Sequence, residues 1–155
     1  MESFGSIIDK ISILEKRISV TQTEKNNVEH LYSQYGWLLK TMGEILVKNF
    51  EGKQPFTFSK NKNYDNDVSI DLNMTFLEAI KHLNDFNIAL WKLEDIRRDE
   101  TKTDKERLSA ADSVSVHNKL RNDCIDQIDL TIQRAARSSH GYLLPFPLPP
   151  NCRAK

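Results

Sequence analysis

Two polar clusters at helical spacing hold the side chains best suited to chemistry: WKLEDIRRDE around Trp91, and HNKLRNDCIDQID from His117. At about 100° per residue, Asn84, Asn87, Trp91, Glu94, Asp95 and Arg98 share one sector of a helix, beside an apolar seam of Leu83, Phe86, Leu90 and Leu93. In the second cluster Val114, Asn118, Arg121, Ile125, Ile128 and Ile132 share a face, so Asn118 and Arg121 interrupt an apolar stripe. Asn122 and Asp129 lie at its edge, and Asp123 and Asp126 are expected to point outward. A guanidinium on an apolar face requires a carboxylate, because an uncompensated buried charge costs several kcal/mol. Glu94 and Asp95 are the expected partners, and Glu15, near the apolar sector of the first helix, is positioned to join them.

Trp91, Glu94, Asp95, Arg98, Asn118, Arg121, Asn122 and Asp129 are therefore the candidate ligand-binding residues. Together they offer a fork-shaped donor, carboxylates, amides and an indole, a set suited to a small polar or anionic ligand. The plainer reading is a solvated face with an i,i+4 Glu94–Arg98 pair, and an Arg–carboxylate bridge that only sets helix register.

Four amphipathic helices must position these groups. Phe4, Ile7, Ile8, Ile11, Leu14 and Ile18 mark the first, with a break or bend expected in the β-branched, polar stretch 19–23. Val28, Leu31, Tyr35, Leu38, Met42 and Ile45 mark the second, which runs to about Asn49. Thr75 and Glu78 form a capping-box signature for the third, which should end near Asp99. Thr103 or Asp104 caps the fourth, whose core face is Ala110, Val114, Ile125, Ile128, Ile132 and Ala135, and His140-Gly141 supplies its stop. The expected architecture is all-α, an antiparallel four-helix bundle over residues 1–141 with a long loop between helices 2 and 3. An extended proline-rich tail follows at 142–155; its apolar residues either pack back on the bundle or meet a partner. An internal echo is also visible: IDKISI from Ile8 and LNDFNI from Leu83 share [IL]-[DN]-x-[IF]-[SN]-I, consistent with a duplicated helical hairpin.

WKLEDIRRD followed by N-x-x-R-N-D-x-x-D-x-x-D resembles the bacterial domain-of-unknown-function family 4254. Trp91, Glu94, Asp95, Arg98, Asn118, Arg121, Asp123 and Asp129 match its pattern. Lys92, Lys119 and Asp126 depart from it, standing where the family has His, Gln and Glu. Losing the His removes the side chain best suited to acid–base or metal chemistry at that position. The resemblance covers about Leu83 to Asp129, and the opening SIIDKISILEKRI resembles a second small family, number 6165. Both families tend to occur beside envelope-polysaccharide glycosyltransferases, so the resemblance implies a role near carbohydrate or nucleotide-sugar metabolism.

Composition narrows the remaining classes. Lys plus Arg and Asp plus Glu number 22 each, so the chain lacks the basic signature of a nucleic-acid binder. No apolar run approaches the ~20 residues of a membrane span. Cys124 and Cys152 make no disulfide framework, and with no signal-peptide pattern a cytoplasmic location is expected. Histidines in Glu-x-x-His pairs, Gly-rich phosphate loops and Cys-x-x-Cys motifs are absent, so no cofactor is expected. The leading expectation is a homodimeric binding or accessory module with a polar pocket between helices 3 and 4. A Mg²⁺-dependent nucleotide pyrophosphohydrolase-like enzyme using Glu94, Asp95, Asp126 and Asp129 is the rival. A purely structural interaction protein is the third reading.

Overall fold

The computed structural model describes residues 2–24, 27–52 and 74–139. Most of the expected loop between helices 2 and 3, the His140-Gly141 stop and the proline-rich tail lie outside the described residues. Those described form four helices and no strand: α1 (Phe4–Thr23), α2 (Glu29–Phe50), α3 (Phe76–Arg98) and α4 (Asp104–Ser139). Among them no helix is long and apolar enough to cross a membrane.

The helix starts follow local chemistry. Ser3 caps α1 by accepting from the Ser6 N–H at 3.1 Å. Thr75 and Glu78 cap α3 reciprocally, and Thr103 and Glu106 form the same box at α4, deciding the cap there in favour of Thr103. These backbone and hydroxyl donors hold the Glu78 and Glu106 carboxyls below their ordinary range. The expected break at 19–23 does not occur, and α1 continues to Thr23. There the Thr23 hydroxyl donates back to the Ser19 carbonyl at 2.9 Å, so the side chain is accommodated within the helix.

The core joins Ile7, Leu14 and Ile18 of α1, Leu31, Leu38 and Ile45 of α2, Ala79 and Leu83 of α3, and Cys124, Ile125 and Ile128 of α4. On α4 the buried alanine near the C-terminus is Ala136, whereas the expected Ala135 is exposed. Asp123 and Asp126 are half-buried instead of pointing outward. Burial pushes the Cys124 thiol up to about 12, so it packs as a small apolar group. Phe86 meets the His117 ring edge-on at 5.9 Å, and His117 Nδ1 lies 2.8 Å from the Ser113 carbonyl. His117 is thereby a packing residue between α3 and α4.

α1 packs against all three other helices, whereas α2 and α3 do not meet among the described residues. One face of α1 is the aliphatic ridge Ile7, Leu14 and Ile18. A second, roughly opposite at about 100° per residue, buries Gly5 and Asp9 and half-buries Ser12. Gly5 is required at this crossing, since a Cβ there would sit 2.4 Å from the Ile125 carbonyl oxygen on α4. A methyl group added at Gly36 or Gly43 on α2 would meet no described atom within 4 Å. Gly5→Ala should therefore cost about 1–3 kcal/mol by urea denaturation. Gly36→Ala and Gly43→Ala should each leave stability unchanged or raise it by up to about 1 kcal/mol through helix propensity.

Candidate functional site

Arg121 projects from α4 toward α1, where its Nε donates to Asp9 Oδ1 at 2.7 Å and its Nη2 pairs with Asp9 Oδ2. The expected partners Glu94 and Asp95 do not fill that role. Glu94 instead engages Arg97 at 2.7 Å and Arg98 at 3.3 Å along its own helix, and Glu15 accepts from the Tyr35 hydroxyl at 3.0 Å across α1 and α2. The Asp9 side chain is only 6% exposed and that of Arg121 24%, so the bidentate pair is largely withdrawn from water. Asp9 raises the Arg121 pKa further above its ordinary value through the hydrogen bonds, against a smaller opposing effect of burial.

A small amide–hydroxyl network extends the pair. The buried Asn87 side chain donates to Asp9 Oδ1 at 3.0 Å and to the Ser12 hydroxyl at 3.3 Å, while Ser12 donates to Asn84 Oδ1 at 3.0 Å. These four residues are the polar positions of the internal echo. Asp9 and Asn84 correspond, as do Ser12 and Asn87, and each first-position side chain bonds the second-position side chain of the other helix. α1 and α3 thus cross at their echoed segments in a reciprocal way.

Above this network lies a cavity of about 290 Å³ lined by Trp91, Glu94, Asp95, Arg98, Asn118 and Arg121, with Ile13, Asn87 and Leu90. Asp9 consumes two Arg121 nitrogens, which leaves Nη1 as the nitrogen outside that pair. The cavity therefore combines an indole face, aliphatic walls, two carboxylates, two guanidiniums and two amides. Six of the eight sequence candidates meet here; Asn122 and Asp129 do not line it. Ile13, Asn87 and Leu90 of the lining, and Asp9 behind Arg121, are the contributors missing from the sequence-based set. Asp9 is concealed in the sequence because it lies on the second buried face of α1, away from the aliphatic ridge; the echo is the signal that could have found it.

Asp129 has a different environment. It is buried against the start of α1, where its Oδ1 accepts from the Gly5 N–H at 2.6 Å. Burial pushes its carboxyl from an ordinary 3.8 up to about 7, tempered by the Ser3 hydroxyl and the Gly5 N–H and reinforced by Asp126. Among the described residues no group of three or more His, Cys, Asp or Glu side chains gathers in a way that could hold a metal ion. Comparison of the chain with family models, with curated proteins and with solved structures returned no match.

Removing Arg121 strands the Asp9 carboxylate, so Arg121→Ala should cost about 2–4 kcal/mol, slightly below a fully buried pair because the guanidinium is partly wet. Glu94→Ala should change stability by under about 0.5 kcal/mol, since its ion pairs are local and near the surface. Denaturant melts of both variants separate this pairing from one between Arg121 and α3. Asp129 gives a pH signature. A carboxyl whose pKa rises on folding takes up a proton as the chain folds. Its contribution is full below about pH 4 and is lost as pH rises through about 7. Asp129→Asn should match the wild type near pH 4 and be the more stable protein at pH 8. An equal stability difference at both pH values would contradict the raised pKa.

Proposed function

We propose that the chain is an antiparallel four-helix bundle that binds a small polar ligand in the cavity between α3 and α4. The observation that carries this reading is the convergence of Trp91, Glu94, Asp95, Arg98, Asn118 and Arg121 on one cavity. Its volume is close to the lower end of the ~300 to 1,000 Å³ typical of small-molecule sites. An apolar face bearing a few fixed polar groups is the usual composition of such a site. The Asp9 pair and the Asn87 amide hold Arg121 in place, so part of the donor set is organised before any ligand arrives. A small polyhydroxylated compound fits this mixture of indole, amides and balanced charges, in keeping with the resemblance to family 4254.

The rival Mg²⁺-dependent hydrolase needs its carboxylates clustered. Asp129 is engaged at the start of α1, and Glu94 pairs with Arg97 and Arg98, which favours the binding reading over this one. Our reading includes a cytoplasmic homodimer. Tyr32, Leu39 and Val47, large apolar side chains exposed along α2, support self-association.

Thermal melts against a panel of neutral sugars and nucleotide sugars test the binding reading. A saturable rise in Tm is expected for a member of that panel, with affinity reduced about tenfold in Trp91→Ala and lowered in Asn118→Ala. A shift of full size in both variants would place binding elsewhere. No saturable shift with any member would favour the purely structural interaction protein.

A further inference from the structure

We propose that the ligand carries a phosphate-type anionic group, bound beyond Trp91 in a second cavity that presents Arg17, Thr21 and His30. This rests on the reading of the α3–α4 cavity as the ligand site and extends it to a ligand class: the phosphate ester of a small polyhydroxylated ring compound.

Trp91 lines both cavities, so its indole is the wall they share. The second measures about 180 Å³ and is bounded by Arg17, Val20 and Thr21 of α1, His30 and Leu31 of α2, and Trp91 of α3. It exists because α2 and α3, among the described residues, do not meet and leave a furrow over α1.

The two cavities differ in charge. The first holds Glu94 and Asp95 against Arg98 and Arg121, two charges of each sign among its lining residues. That balance suits the uncharged, hydroxyl-bearing part of a ligand. The second has no carboxylate among the described residues that line it. Arg17 and Thr21 are one helical turn apart, so a guanidinium fork and a hydroxyl point to the same side of α1. The side chains of Arg17, Thr21 and His30 make no hydrogen bond or ion pair with another described residue, so all three offer donors to a ligand. A guanidinium matches the tetrahedral oxygens of a phosphate in bidentate fashion. His30 stands in the first turn of α2 and faces the cavity from the side opposite Arg17 and Thr21 of α1. A ring seated on the Trp91 face would direct an attached phosphate round the indole edge to these groups.

Trp91 fluorescence reads the proposal in a Trp37→Phe background, since these are the two tryptophans of the chain and Trp37 lines neither cavity. The probes are neutral hexoses, their 1- and 6-phosphates, and inorganic phosphate as the anion alone. At least one hexose phosphate should bind tenfold or more tightly than its parent hexose. Arg17→Gln should reduce that advantage below threefold while leaving hexose affinity unchanged, and His30→Gln should reduce it in part. Inorganic phosphate should compete with the hexose phosphate and lose that ability in Arg17→Gln. Equal affinity for hexose and hexose phosphate, or an advantage untouched by Arg17→Gln, would overturn the proposal. If hexose binding were still lost in Asn118→Ala, the first-cavity reading would survive that result. No saturable signal from any probe would count against both.

Discussion

The Asp9–Arg121 pair is the constraint on which the rest of the arrangement depends. It joins the first helix to the last across 112 positions of sequence and sits where α1, α3 and α4 meet. A bidentate guanidinium–carboxylate contact tolerates little change in distance or angle, so it sets both the height and the rotation of α1 over α4. Gly5 acts in the same direction one turn earlier, because its missing side chain lets the α1 backbone approach the Ile125 carbonyl. Asp129 then accepts from the Gly5 N–H and closes the contact at the start of the helix. Polar and small residues, more than aliphatic ones, define this crossing.

That same contact shapes the cavity. Arg121 is turned toward α1 by Asp9, and Asn87 is held by Asp9 and Ser12, so two lining groups are fixed by α1 residues. Trp91 stands at the junction between a charge-balanced cavity and a cationic one. A pair that replaced Asp9 with Glu94 would have drawn Arg121 toward α3 and consumed a carboxylate of the cavity wall. Placing the counter-ion on α1 leaves Asp95 in the lining and lets Glu94 pair locally with Arg97 and Arg98. Stability and site geometry therefore share one interaction, as a buried ion pair is better at fixing register than at adding net stability.

Much of this is legible in the residues. Helical periodicity locates four helices, the Thr75–Glu78 box marks the start of α3, and projection of α3 and α4 brings six cavity residues together. What escapes has one physical origin. A projection with a single apolar face treats each helix as one-sided, whereas α1 buries two faces and the second is built from Gly5, Asp9 and Ser12. Asp9 consequently falls outside the aliphatic ridge that marks α1, and the acidic residues of the α3 motif, Glu94 and Asp95, are taken as partners in its place. Asp129 joins the expected site through its position on α4, but the depth of the α1 N-terminus decides its surroundings. Local pattern carries helix limits well; which helix faces which is set by a long-range pair.

A double-mutant cycle between Asp9→Asn and Arg121→Gln tests the central claim most directly. The amide replacements remove both charges while leaving polar side chains, and subtracting the single-mutant effects isolates the pair from general packing losses. The account predicts a coupling of about 1.5–3 kcal/mol, as expected for charged residues in one buried hydrogen-bonded network. Additive effects, with coupling within about 0.5 kcal/mol of zero, would contradict it and remove the anchor assigned to α1.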